Sequence, residues 1–124
     1  LFICASSVAQ HAGIAALKHA WPDVERMVAE YSRRREALLL GLRELDFRVA
    51  AEPRGAYYAL ADARHLGSDS LKLAKRILEE ARVGVTPGID FGPAAEGHLR
   101  FSFASSLETI EEGLRRLRER LGGV

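Results

Sequence analysis

Residues Val83 to Ser106 read V-G-V-T-P-G-I-D-F-G-P-A-A-E-G-H-L-R-F-S-F-A-S-S, and this stretch decides the fold. It opens on a short apolar run, turns at Pro87-Gly88, crosses a loop rich in glycine and proline, and ends in strict alternation. Strand side chains alternate with period two. Leu99, Phe101 and Phe103 therefore share one face, and His98, Arg100 and Ser102 the other. The apolar face is expected to pack on a core. The other face carries one guanidinium, that of Arg100, at the end of the glycine-rich loop. An arginine fixed on a strand can hold a planar anion such as a carboxylate through two parallel hydrogen bonds. It can equally be a solvated charge on an edge strand. The residues alone leave both readings open.

Around this stretch the helical signals are clear. Ser6 or Ser7 can cap a helix reaching Ala20, with Val8, Ala12, Ala15, Ala16 and Leu17 as its apolar set. Trp21-Pro22-Asp23 restarts the chain, since proline suits a first helical position and acidic side chains favour a helix N-terminus. Val24, Met27, Val28, Tyr31, Leu38, Leu42 and Leu45 then recur at helical steps and predict a long amphipathic helix ended by Asp46. Phe47 to Ala50 and Ala56 to Ala61 are short strand candidates about the turn Glu52-Pro53-Arg54-Gly55, in a hairpin with Tyr57 and Tyr58 on opposite faces. Ser68 is placed to cap a helix whose stripe is Leu71, Ala74, Ile77, Leu78 and Ala81. Val83 to Thr86 is the third strand candidate and Leu99 to Phe103 the fourth. A last helix carries Leu107, Ile110, Leu114, Leu117 and Leu121, with Ser105 and Glu108 as a capping box and Gly122-Gly123 as its stop.

This order predicts an α/β, two-layer sandwich: a small mixed or antiparallel sheet of three or four short strands packed against helices. One sheet face, or the leading segment, would stay poorly covered and would need a partner surface.

The totals narrow the function classes. With 18 basic and 17 acidic side chains in 124 residues, no strong field points to nucleic acid or to an acidic partner. The run Arg33-Arg34-Arg35 is flanked by acidic residues and reads as a solvated helix face. The single cysteine, Cys4, cannot close an internal disulfide, which fits a reducing, cytoplasmic setting. No apolar run approaches a membrane span. The chain opens on apolar residues without Met or a basic leader, as a piece cut from something longer would.

Searches for self-contained chemistry fail. His11 and His19 are two helical turns apart, too far for an i, i+4 metal pair, and no metal site is expected. Neither G-x-S-x-G nor a phosphate-binding loop is present, and Gly88, Gly92 and Gly97 do not form a dinucleotide fingerprint. Lys18, Lys72 and Lys75 lie among polar neighbours on helices, whereas a catalytic lysine needs a desolvated or cationic setting.

The motifs resemble a family. Val85-Thr86-Pro87-Gly88 with Phe91-Gly92, followed by Gly97-His98-Leu99-Arg100-Phe101-Ser102-Phe103-Ala104, is similar to the "P-G-x-x-F-G … G-x-x-R-[IL]-[SC]-[FY]-A" signature of the small domain of fold-type I pyridoxal-phosphate-dependent aminotransferases. Pro53-Arg54-Gly55-Ala56-Tyr57-Tyr58 resembles their "P-x-G-[GA]-[FY]-Y" strand. Leu107 to Leu117 looks like their closing helix, and Ser6 to Leu17 like the segment leading from the cofactor-lysine region into the small domain.

The resemblance implies that residues 1–21 are a lead-in from a missing N-terminal large domain and 22–124 the small C-terminal domain. It implies that Arg100 binds the substrate α-carboxylate, that Tyr57 can face the substrate, and that Gly88 sits in a loop at the active-site mouth. The implied partners are an amino acid and a 2-oxo acid, the missing domain, and a second subunit in a homodimer. The implied cofactor is pyridoxal 5′-phosphate in the full-length enzyme, with none bound to this piece. The family's S-x-x-K lysine, its aspartate for the pyridinium nitrogen and its phosphate-binding residues have no counterpart here, so no catalytic residue is expected within the chain. Two other readings stand beside this one: a non-catalytic binding module, and a lyase or synthase of the same superfamily.

Overall fold

The computed structural model describes residues 4–121. The chain divides into two compact units, Leu1–Glu30 and Tyr31–Val124. In the first, α1 spans Ser7–His19 and is capped by Ser6, whose Oγ accepts from the Ala9 N–H at 3.2 Å. None of its side chains is buried. Val8, Ile14, Leu17, Trp21, Met27 and Val28 are all exposed. The apolar sets expected here are therefore present as spacing but not as core.

Helix α2, Trp21–Glu44, continues into the second unit. Its stripe is buried only at Leu38, Leu39 and Leu42, so the continuous stripe expected from Val24 onward is corrected. Gly41 shows how closely α2 approaches the last helix: a Cβ there would lie 2.4 Å from Leu114 Cδ1. Asp46 takes a left-handed conformation with φ 60° just beyond the helix, and Phe47 turns back into the core.

The second unit is a two-layer α/β sandwich. Its sheet has three strands in the order β1-β3-β2, all antiparallel: β1 Tyr58–Asp62, β2 Thr86–Pro87 and β3 His98–Ser102. Ala59, Ala61, Leu99 and Phe101 point to the helices and are buried. Helices α3, Ser70–Ala81, and α4, Leu107–Leu121, supply Leu73, Ala74, Ile77 and Ala81, and Ile110, Leu114, Leu117 and Leu121. Each large apolar side chain removed from water contributes about 1.5–3 kcal/mol. Edge-on aromatic pairs add definition: Phe47 meets Phe101 at 5.3 Å and Tyr31 meets Phe103 at 6.3 Å between ring centroids.

Several expectations are corrected. Phe47 to Ala50 forms no strand, and the expected hairpin is reduced to one antiparallel pair, Arg48 with Asp62 at the end of β1. Pairing on the other side of β1 is taken by β3 instead. The segment at Val83 to Thr86 pairs only at Thr86 and Pro87, because Pro87 has no N–H to extend the ladder and Gly88 starts a 3-10 turn. Leu71 and Leu78 are exposed, and Leu73 takes the inward position.

Caps also shift. Asp69, not Ser68, caps α3, accepting from the Lys72 N–H at 2.9 Å. Ser106, not Ser105, receives the Thr109 N–H at the start of α4, at 3.3 Å. Gly122-Gly123 lie outside the described residues.

Candidate functional site

Strand β3 is central, and Leu99 and Arg100 have a paired neighbour on both sides. Arg100 sits directly opposite Thr86 on β2 and Leu60 on β1. It lies on the open sheet face and is half-buried. Its Nη2 donates to Thr86 Oγ1 at 3.2 Å. Two aromatic rings flank the guanidinium: Tyr58 and Phe91 each have a ring centroid 4.9 Å from its Cζ. Among the described residues no carboxylate forms an ion pair with it. Asp62, on the neighbouring strand β1, is engaged with Arg64. Asp62 accepts from the Arg64 Nε at 2.9 Å and backbone N–H at 3.0 Å. The Arg64 side-chain hydrogen bond is the main reason its carboxyl is held far below the usual carboxylate range. A half-buried guanidinium with no ion-pair partner among the described residues can accept a planar carboxylate.

The loop that brings Phe91 to this site is tied to the N-terminus of α3. Ser70 is completely buried, and its Oγ accepts from the Ile89 N–H at 3.1 Å. The Glu96 carboxylate accepts from the backbone N–H groups of Ser70, at 2.6 Å, and Gly97, at 3.1 Å. These bonds, first that from the Ser70 N–H, hold Glu96 below the usual carboxylate range.

The three residues singled out from sequence fall in different places. Arg100 is at the centre of the arrangement. Gly88 is buried under the loop, where a Cβ would lie 1.9 Å from the Ala95 carbonyl oxygen and 2.7 Å from that of His98. Its lack of a side chain lets the 3-10 turn Gly88–Phe91 close against the backbone that follows. Tyr57 precedes β1, after Ala56 at φ 56°, and its ring is half-exposed. The ring packs edge-on against Tyr58 at 4.9 Å, so the two tyrosines are not on opposite faces as expected. Its carbonyl accepts from the Phe103 N–H at 2.7 Å. Tyr58, rather than Tyr57, meets the guanidinium.

Tyr58 and Phe91 were not singled out by sequence reading. Phe91 was visible inside P-G-x-x-F-G, but only tertiary structure brings it to Arg100. Tyr58 needed the strand register, which pairs it with Ser102 and so puts it in phase with Arg100. Nothing in the sequence marked Ser70 or Glu96.

A separate groove of about 600 Å³ runs along α4, floored by Leu38, Phe101, Leu114 and Leu117 and edged by Arg82 and Glu112. Arg100 does not line it. No set of three or more His, Cys, Asp or Glu among the described residues could hold a metal ion, and no helix there is long and apolar enough to cross a membrane.

Arg100 on the outward sheet face, beside the P-G-x-x-F-G loop, offers a guanidinium chemically able to hold an anion. Comparison with known proteins gives the family. The model of the family "Aminotransferase class I and II" matches residues 1–117, and the chain belongs to this family. It is 38% identical over 120 residues to an aspartate aminotransferase of Pyrococcus horikoshii, covering 95% of this chain and 31% of that protein. It is 43% identical over 99 residues to an aspartate/prephenate aminotransferase of Thermus thermophilus, covering 80% of this chain and 25% of that protein. Among solved structures, an aminotransferase from Mycobacterium tuberculosis superposes with a TM-score of 0.91 at 34% identity, covering all of this chain and 33% of that one. The chain thus spans about three tenths of the length of the curated relatives it matches.

The family implies pyridoxal phosphate, and the residues present do not fit it by themselves. Covalent attachment needs a desolvated amine. Lys18, Lys72 and Lys75 are all exposed on helices, and Lys72 pairs with Asp69. No step through the cofactor can be built from these residues.

Proposed function

We propose that this chain is the part of a pyridoxal-phosphate-dependent aminotransferase that holds the substrate carboxylate, the enzyme moving an amino group between an amino acid and a 2-oxo acid. The observation that carries this reading is Arg100: half-buried, flanked by Tyr58 and Phe91, pinned by Thr86, and without a carboxylate partner among the described residues. Two parallel N–H···O bonds from a fixed guanidinium would set both position and orientation of an amino or oxo acid. Such positioning matters because the reaction moves a proton at the carbon bearing the carboxylate. Gly88 serves the site by letting the loop close, and Tyr57 serves it by supporting the ring of Tyr58. Residues 1–21 are read as the lead-in from a large domain that carries the cofactor and its lysine, and 22–124 as the small domain. A cytoplasmic homodimer is the expected setting.

Replacing Arg100 by alanine in the full-length enzyme tests this. The specificity constant for amino-acid substrates should fall by a factor equivalent to about 2–5 kcal/mol, the range for breaking a close charge pair. An unchanged constant removes Arg100 from the site. Amino-acid turnover by elimination without transfer would move the enzyme to the lyases of the superfamily.

A further inference from the structure

Resting on the reading of Arg100 as the carboxylate-holding residue, we infer that Tyr58 and Phe91 are positioning residues that hold its guanidinium in orientation without setting a competing carboxylate against it. A guanidinium needs something to hold it on an open sheet face, and the usual partner is an acidic side chain. An acid would compete with the substrate for the same N–H groups. An aromatic ring attracts the cation through its negative face and accepts none of the in-plane hydrogen bonds. Both rings lie within the range of that attraction, at 4.9 Å.

They arrive from opposite flanks of the central strand. Tyr58 belongs to β1 on one side, and Phe91 follows β2 on the other. Thr86 takes one Nη2 hydrogen. The remaining N–H groups lie in the guanidinium plane, which is where a carboxylate binds. Phe91 itself stands on an anchored loop: the buried Ser70 hydroxyl receives the Ile89 N–H, and Glu96 fastens the far end. The site is thus assembled before a ligand arrives, and less ordering is left for binding to accomplish.

The test has two arms. In this 124-residue chain, ring currents from Tyr58 and Phe91 should shift the Arg100 side-chain protons upfield in NMR spectra. Phe91→Leu and Tyr58→Leu should each release part of that shift, and Phe91→Tyr and Tyr58→Phe should retain it. In the full-length enzyme, each leucine variant should raise KM for the amino acid by about threefold to tenfold, the scale of a cation–π contact, with kcat changed less than about twofold. The ring-keeping variants should restore KM. In an Arg100→Ala background the leucine substitutions should add nothing further to KM. The inference is overturned if the leucine variants leave KM unchanged while Arg100→Ala raises it. It is equally overturned if they raise KM as much without Arg100 as with it, which would make the rings merely structural. An Arg100→Ala enzyme with unchanged KM and kcat would instead sink the underlying reading of the site.

Discussion

The two faces of β3 are one residue apart in sequence and opposite in consequence. Leu99 and Phe101 are almost completely buried against the helices, and Phe103 continues that face beyond the strand. His98, Arg100 and Ser102 face outward beside Tyr58 and Leu60 of β1. The inward face draws its value from area removed from water and from close packing, so it rewards shape and tolerates no polar group. The outward face keeps the Arg100 charge, which has no ion-pair partner among the described residues. One strand therefore carries stability on one side and, on the proposed reading of Arg100, ligand chemistry on the other, and substitutions should separate the two.

The largest effect belongs to the inward face. Phe101→Ala removes a ring packed on Phe47 and should cost about 3–5 kcal/mol, measured as a loss of urea midpoint. That is a large share of the stability of any small domain. Its neighbour should behave in the opposite way. Arg100→Ala should change stability by less than about 1 kcal/mol, because its only side-chain hydrogen bond among the described residues is to Thr86, while its cost falls on amino-acid use. If Arg100→Ala destabilises the chain as much as Phe101→Ala, the division between the faces is wrong. Gly88→Ala comes next. Backbone oxygens occupy the space its Cβ needs, and backbone cannot swing aside as a side chain would. A cost of about 1–3 kcal/mol is expected from the forced shift, with a weakened carboxylate site as Phe91 is displaced. Loss of stability with an unchanged KM would show that the loop and the site are independent.

The inward face was legible in the sequence because burial follows period. Leu99, Phe101 and Phe103, and the α4 stripe from Ile110 to Leu121, are where alternation and helical spacing put them. Period failed where no surface covers the stripe, as at Met27 and Val28, and where two leucines competed for one position, as Leu71 and Leu73 did. The short strands were hardest. Two residues of β2 hold their place through β3, which local propensity cannot see. The outward face was half legible. Arg100 stood out as a charge inside an apolar alternation. Tyr58 depended on strand register, Phe91 on how a loop closes, and Ser70 and Glu96 on an anchor between elements 26 residues apart. Such contacts leave no periodic trace.

The smallest effect should appear only on acidification, and it probes the loop on which the outward face depends. Glu96 is held below the usual carboxylate range by the Ser70 and Gly97 N–H groups. A carboxyl whose pKa is depressed by folding contributes stability that is present above its unfolded pKa and is lost as pH falls through its folded one. The chain should therefore lose stability below the ordinary glutamate range as Glu96 takes up a proton. Glu96→Gln keeps an oxygen able to accept one N–H but cannot titrate. Urea midpoints of the two proteins, followed from pH 7 down to about pH 3, should differ most at neutral pH and converge in acid, the variant declining more gently. A gap of constant size at every pH would mean that the Glu96 charge has no part in keeping Phe91 beside Arg100.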